Sequence, residues 1–189
     1  MNVSKPIVLI LGMPGSGKTT IGRELSQLLG ILHRSTGDVL RAGRASSNPP
    51  PNNDPATWFL EQELLRIEIE SVRGLILDFS PVTKDGAGQM ANMLREHEFR
   101  IRHVVYVKTR IGDAEGRYVS RGCRPGDATE DLRLLFKRRI VQEFWPYTLP
   151  MIRRATEQRI LLILKNSGEE SVLKKEVARV AGIIAAPGH

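Results

Sequence analysis

The residues Gly12-Met13-Pro14-Gly15-Ser16-Gly17-Lys18-Thr19 carry the clearest capacity for chemistry in this chain. Their spacing fits G-x-x-x-x-G-K-[ST], the P-loop pattern that cradles a chain of phosphates. Glycines let the backbone wrap closely and take positive φ. Pro14, Gly15, Ser16, Gly17, Lys18, Thr19 and Thr20 are therefore the candidate ATP-binding residues. Lys18 would reach the β- and γ-phosphates, and Thr19 would offer its hydroxyl to Mg²⁺.

Three further groups have types suited to the same chemistry. Asp78 ends the apolar run Leu75-Ile76-Leu77. A carboxylate at the end of a buried strand needs a partner, and next to a P-loop it suits a magnesium ion. In Ser35-Thr36-Gly37-Asp38-Val39-Leu40-Arg41, Arg41 can fork onto an acceptor phosphate and Thr36 can touch the acceptor's base. The same residues would also serve as helix caps. Arg117 and Arg121, four apart, would share one helical face, and Arg139 follows in a later helix. Together with Lys18 they can spread positive charge over a transferring phosphoryl group without covalent chemistry.

The elements that must position these groups follow from the apolar pattern. Ile7–Leu11, Leu75–Leu77, Val104–Val107 and Ile160–Leu164 read as buried parallel strands, with a fifth at Ile31–His33. Helical patterns alternate with them. Ile21, Leu25, Leu28 and Leu29 share a face before Gly30. Asp54-Pro55 reads as a helix start leading to Leu60, Leu64 and Ile67. Leu132, Phe136, Ile140 and Phe144 recur every four residues, and a last helix starts near Glu169–Glu170. This alternation predicts a three-layer α/β fold with a five-stranded parallel sheet. The stretches 44–53 and 122–129 interrupt it as long irregular loops.

Composition narrows the class. The chain has 189 residues, 41% of them hydrophobic, enough for one domain. No apolar run spans a bilayer, and the P-loop follows the first apolar run where a signal peptide would be cleaved. A cytoplasmic protein, acting as a monomer without membrane contact, is the expectation. One cysteine, Cys123, leaves no internal disulfide and no cysteine-rich metal site. The net charge is +7, and nine Lys/Arg against five Asp/Glu fall between Lys108 and Arg139. That concentration fits a pocket for several phosphates; a nucleic-acid face is the lesser alternative. Aromatic content of 5% is low for a base-stacking platform.

Gly12–Thr20, Ser35–Arg41, Gly74–Thr83 and Arg117–Arg139 resemble, in order, the motifs of adenylate kinase and its nucleoside-monophosphate kinase relatives. Thr148-Leu149-Pro150 and 165–177 resemble that family's ending. The resemblance implies a P-loop kinase core at 1–35, 73–121 and 130–189, a monophosphate-binding insertion near 36–72 and a short lid near 122–129. It implies that Thr36, Arg41 and Asp78 serve the monophosphate. Lys18, Arg117, Arg121 and Arg139 would be catalytic, with Arg117 also on ATP, and Thr19 and Asp78 would serve Mg²⁺. The acceptor half departs from the family pattern. Val82 stands where an arginine is usual, Gly86 where a base-reading glutamine is usual, and Ala128 where a lid arginine is usual.

The expected function is transfer of the γ-phosphate of MgATP to a nucleoside monophosphate, AMP first. Such an acceptor is already dianionic near neutral pH and needs no general base. One alternative is a P-loop kinase acting on a small-molecule hydroxyl, with Asp38 taking the proton. A second is a nucleotide-dependent RNA-binding protein, consistent with the positive charge.

Overall fold

The computed structural model describes residues 4–44, 57–58, 60–62, 72–79, 85–122 and 131–186. Strand β1 (Lys5–Leu11) leads into helix α1 (Lys18–Leu29), β2 (Leu32–Ser35) and α2 (Thr36–Arg44). After β3 (Leu75–Asp78) come α3 (Gly86–Glu96), β4 (Phe99–Lys108) and α4 (Ile111–Ser120). Helix α5 (Leu132–Arg139) continues into a π-helical segment (Ile140–Thr148) and α6 (Leu149–Glu157). The chain ends with β5 (Leu161–Lys165) and α7 (Glu170–Ala185).

The five strands form one sheet in the order β2-β3-β1-β4-β5, and every pairing is parallel. Parallel strands buried on both faces read as continuous apolar runs, and β1 shows why. Ile7, Leu9 and Leu11 point to one layer with Leu75, Leu77, Met90, Met93 and Leu94. Val8 and Ile10 point to the other with Ile21, Leu25, Val177 and Val180. A third cluster, Met13, Ala114, Tyr118, Phe136, Ile140 and Phe144, fastens α4 and α5 beside the P-loop. The expected three-layer α/β fold with a five-stranded parallel sheet is therefore the one observed. Among the described residues, no helix is long and apolar enough to cross a membrane.

Two expected elements differ. Strand β4 starts at Phe99, five residues before the apolar run Val104–Val107, because it continues to pair with β1 from Lys5 onward. Its early part alternates, with Phe99 buried and Arg100 exposed, so it lacks the continuous run that marks a doubly buried strand. The stripe Leu132–Phe144 is not one α-helix. Its second half widens into π turns around Pro146, which has no N–H to continue the α-helical ladder. Phe136, Ile140 and Phe144 nevertheless all point inward.

The insertion expected near 36–72 is described only at its start (α2), at a few helical residues among 57–62 and at residue 72. Asp54-Pro55, Leu64 and Ile67 lie outside the described residues, as do Val82, Cys123, Ala128 and, apart from Gly122, the lid expected near 122–129.

Candidate active site

The P-loop sits at the C-terminal end of β1, between the end of β3 on one side and the end of β4 on the other. In open parallel sheets this edge is where ligands bind. Gly15 and Gly17 take φ of 74° and 94°, the left-handed region. A Cβ on Gly15 would lie 2.1 Å from the Ala114 carbonyl oxygen, and one on Gly17 would lie 2.7 Å from Asn166 Nδ2. The loop can therefore pass under α4 and beside the end of β5 only with glycine at both positions. Gly17 then begins α1, whose N-terminal N–H groups and dipole favour anions.

Lys18 Nζ donates to the carbonyl oxygens of Gly12 at 2.9 Å and Met13 at 3.2 Å. Burial pushes its pKa below the ordinary lysine range; Asp78 opposes that shift, while Arg139 and Arg121 add to it. The Thr19 hydroxyl donates to Asp78 Oδ2 at 2.6 Å. Asp78 is itself 4% exposed. With its proton committed to Asp78, the Thr19 oxygen keeps lone pairs for a hard cation, and the carboxylate adds negative charge beside it. This donor chemistry fits Mg²⁺, which prefers oxygen and is held by few protein groups beside substrate phosphates.

A cavity of about 260 Å³ gathers the expected residues. Pro14, Gly15, Gly17, Lys18, Thr19 and Thr20 line it from the P-loop, and Thr36, Arg41 and Asp78 from the β2–β3 side. Arg117, Arg121 and Arg139 line it from α4, its C-cap and the end of α5. Ser16 is the one expected ATP-side residue that does not line it, because it is fully buried beneath the loop. Arg117 Nη2 is buried without a hydrogen-bond partner among the described residues, a cationic donor beside the cavity. Arg139 is held by Glu143, with Nε 3.0 Å from Oε2. Burial works against its charge, but Glu143 and Tyr118 outweigh burial and shift its pKa upward.

The side of the cavity expected to hold the acceptor is built from β2 and α2. The Thr36 hydroxyl donates to the Asp78 backbone oxygen at 3.2 Å, fixing the start of α2 to the end of β3. Arg41 lines the cavity and contacts Asp38. Asp38 does not line it. It faces a neighbouring hollow with Arg23, His33 and Arg34, and Arg23 Nη2 lies 4.0 Å from its carboxylate. Gly86 is buried at the start of α3 and does not line the cavity either.

Several supporting residues escape a motif search. Asn166 Nδ2 and the Thr109 hydroxyl both donate to the Ser16 carbonyl oxygen, at 2.8 and 3.3 Å. They tie the P-loop to the ends of β5 and β4, and both are buried. The available signal is positional: each is a polar residue directly after a strand that ends in a lysine, Lys108 or Lys165. Ser35 and Gly37 also line the cavity, and Glu143 has no motif around it.

The chain is similar in sequence to known P-loop kinases. The chain is 28% identical over 169 residues to a shikimate kinase from Mycobacterium ulcerans, covering 86% of this chain and 84% of that one. A shikimate kinase from Thermobifida fusca is 28% identical over 170 residues, covering 86% and 95%. An adenylate kinase from Porphyromonas gingivalis is 27% identical over 188 residues, covering 94% of each chain. The expected resemblance thus holds at the level of P-loop kinases and is not specific to adenylate kinase. A family model described as an AAA domain matches residues 11–133, and the chain belongs to that family of P-loop proteins.

Proposed function

We propose that this chain is an ATP-dependent kinase for a small molecule that carries its own anionic group. The carrying observation is the single cavity onto which Lys18, Thr19 and Asp78, the arginines 117, 121 and 139, and Arg41 all open. The P-loop side holds the triphosphate. Thr19 and Asp78 would hold Mg²⁺, which would neutralise charge on the phosphate oxygens. Arg117, Arg121 and Arg139 stabilise the transferring group from the opposite wall, and Arg41 holds the acceptor's anion. A cytoplasmic monomer remains part of this reading.

The relatives support a hydroxyl as the acceptor oxygen, since shikimate kinases predominate among them. On this reading Asp38 takes the hydroxyl proton. It lies outside the cavity but contacts Arg41, which lines it. An acceptor anion that draws Arg41 to itself would release Asp38 toward the hydroxyl.

A nucleoside monophosphate is the second reading, and two observations favour it. Asp78, the carboxylate among the cavity-lining residues, is already bonded to Thr19, and a phosphate acceptor needs no base. The adenylate kinase relative also spans more of this chain than the shikimate kinases do.

An acceptor panel tests both. MgATP is offered with shikimate and other hydroxy acids, and separately with AMP, CMP, UMP and dTMP. ADP release and the phosphorus NMR spectrum of the product are followed. Transfer to a hydroxy acid alone supports the first reading, and transfer to a monophosphate alone supports the second. ADP release no faster with any acceptor than with water would overturn the kinase proposal. RNA binding that weakens steeply with salt would then point to the RNA-binding alternative.

A further inference from the structure

We propose that Tyr118 is a positioning residue that seats Arg121 of the proposed transfer site. The proposal rests on the kinase reading for its functional meaning and on contacts for its geometry. Tyr118 is fully buried on the inner face of α4. Its ring packs against Phe136 of α5, with centroids 5.5 Å apart and planes at 55°. The Arg121 guanidinium carbon lies 4.2 Å from the same ring's centroid, well within cation–π range. Arg121 caps α4, and the ring that seats it packs against α5.

The chemistry of the contact explains why a tyrosine suits this place. Lys18, Arg121 and Arg139 are close enough that both arginines weaken the charge on Lys18. Such a cluster repels itself until phosphate arrives. An aromatic face attracts the flat side of the guanidinium and leaves the N–H edge for other partners.

Two measurements test the seat and its role separately. In wild-type protein, NMR signals of the Arg121 side-chain N–H groups should be displaced by the Tyr118 ring current, and undisplaced signals would overturn the seat. This reading needs no turnover, so it stands apart from any failure of the kinase proposal. The role is read with whichever acceptor the panel identifies. Tyr118→Phe, which keeps the ring, should keep kcat within about threefold. Tyr118→Leu should lower kcat by about tenfold or more, with KM for ATP changed less than about threefold. Combining Tyr118→Leu with Arg121→Ala should cost little beyond Arg121→Ala alone, because both remove the same contact. A Tyr118→Leu enzyme at wild-type kcat, or a loss that adds in full to that of Arg121→Ala, would overturn the positioning role.

Discussion

Thr19 and Asp78 are joined by a hydrogen bond of 2.6 Å between residues 59 apart in sequence. The bond connects the first turn of α1 to the end of β3, and Thr36 completes the corner by binding the Asp78 backbone oxygen. The P-loop side and the β2–α2 side of the cavity therefore meet at one buried carboxylate. A shift of β3 would move the P-loop hydroxyl and the start of α2 together.

Asp78→Asn keeps an oxygen to accept from Thr19 but removes the charge. The variant should fold normally, because Thr36 binds the main chain of residue 78. Its apparent affinity for Mg²⁺ should fall by about tenfold to a hundredfold, the usual effect of losing a group that supports a metal ligand. Titrating turnover against Mg²⁺ at saturating ATP measures this. A wild-type magnesium dependence would remove Asp78 from the metal side of the site.

Lys18 is expected to be indispensable: Lys18→Ala should abolish turnover, and a variant near the wild-type rate would exclude the P-loop as the reaction centre. Its pKa adds a pH signature. Burial and the neighbouring arginines lower it in the free protein, whereas bound phosphate would favour the charged form. Nucleotide binding should therefore take up a proton at alkaline pH, between the lowered value and the ordinary lysine value, and should weaken as pH rises there. Calorimetry in buffers of different ionisation enthalpy reads the uptake directly. Absence of uptake in wild type, or equal uptake in Lys18→Ala, would contradict the assignment.

The P-loop half of this site was legible in the sequence because its physics is local. A buried run, glycines that must turn, and a lysine at a helix start are all set within about fifteen residues, and Pro14–Thr20 fell where expected apart from the burial of Ser16. Asp78 was legible as a charge ending an apolar run. Asn166 and Thr109 were not, since they act on the Ser16 carbonyl from 150 and 93 residues away. The partner of Asp38 was also hidden. Three-residue spacing allows the contact with Arg41, but only the fold shows that Arg41 faces the cavity while Asp38 faces Arg23. The π turns at Ile140–Thr148 escaped notice because a four-residue apolar spacing suits an α-helix and survives local widening.

His33 gives the fold an acid-sensitive point. It is half-buried on β2, and its Nε2 is buried without a hydrogen-bond partner among the described residues. The ring packs so closely on α1 that a Cβ at Gly22 would lie 2.4 Å from Nε2. Burial chiefly lowers the His33 pKa, and burial does the same at His103. The unfolded chain thus binds protons first as pH falls, from about 6.5 downward. Stability should be insensitive to these groups above that pH and decline through the window down to the lowered folded values. His33→Gln should flatten the decline measured by urea midpoints from pH 8 to pH 5. An equal slope in the variant would show that other groups carry it.

Arg41 decides whether the acceptor half works as proposed. It lines the cavity while touching Asp38, so an incoming anion must compete with a carboxylate for one guanidinium. A charge-assisted hydrogen bond contributes about 1.5–3 kcal/mol, which corresponds to roughly tenfold to a hundredfold in affinity. Arg41→Ala should accordingly raise KM for the acceptor by about that factor and leave KM for ATP within about threefold. Arg41→Lys should recover little, because a single ammonium cannot reproduce the two-pronged contact. Steady-state kinetics with each substrate varied in turn separates the two constants. Equal rises in both would move Arg41 from the acceptor to the nucleotide, and full recovery by lysine would mean that charge alone, without the fork, holds the acceptor.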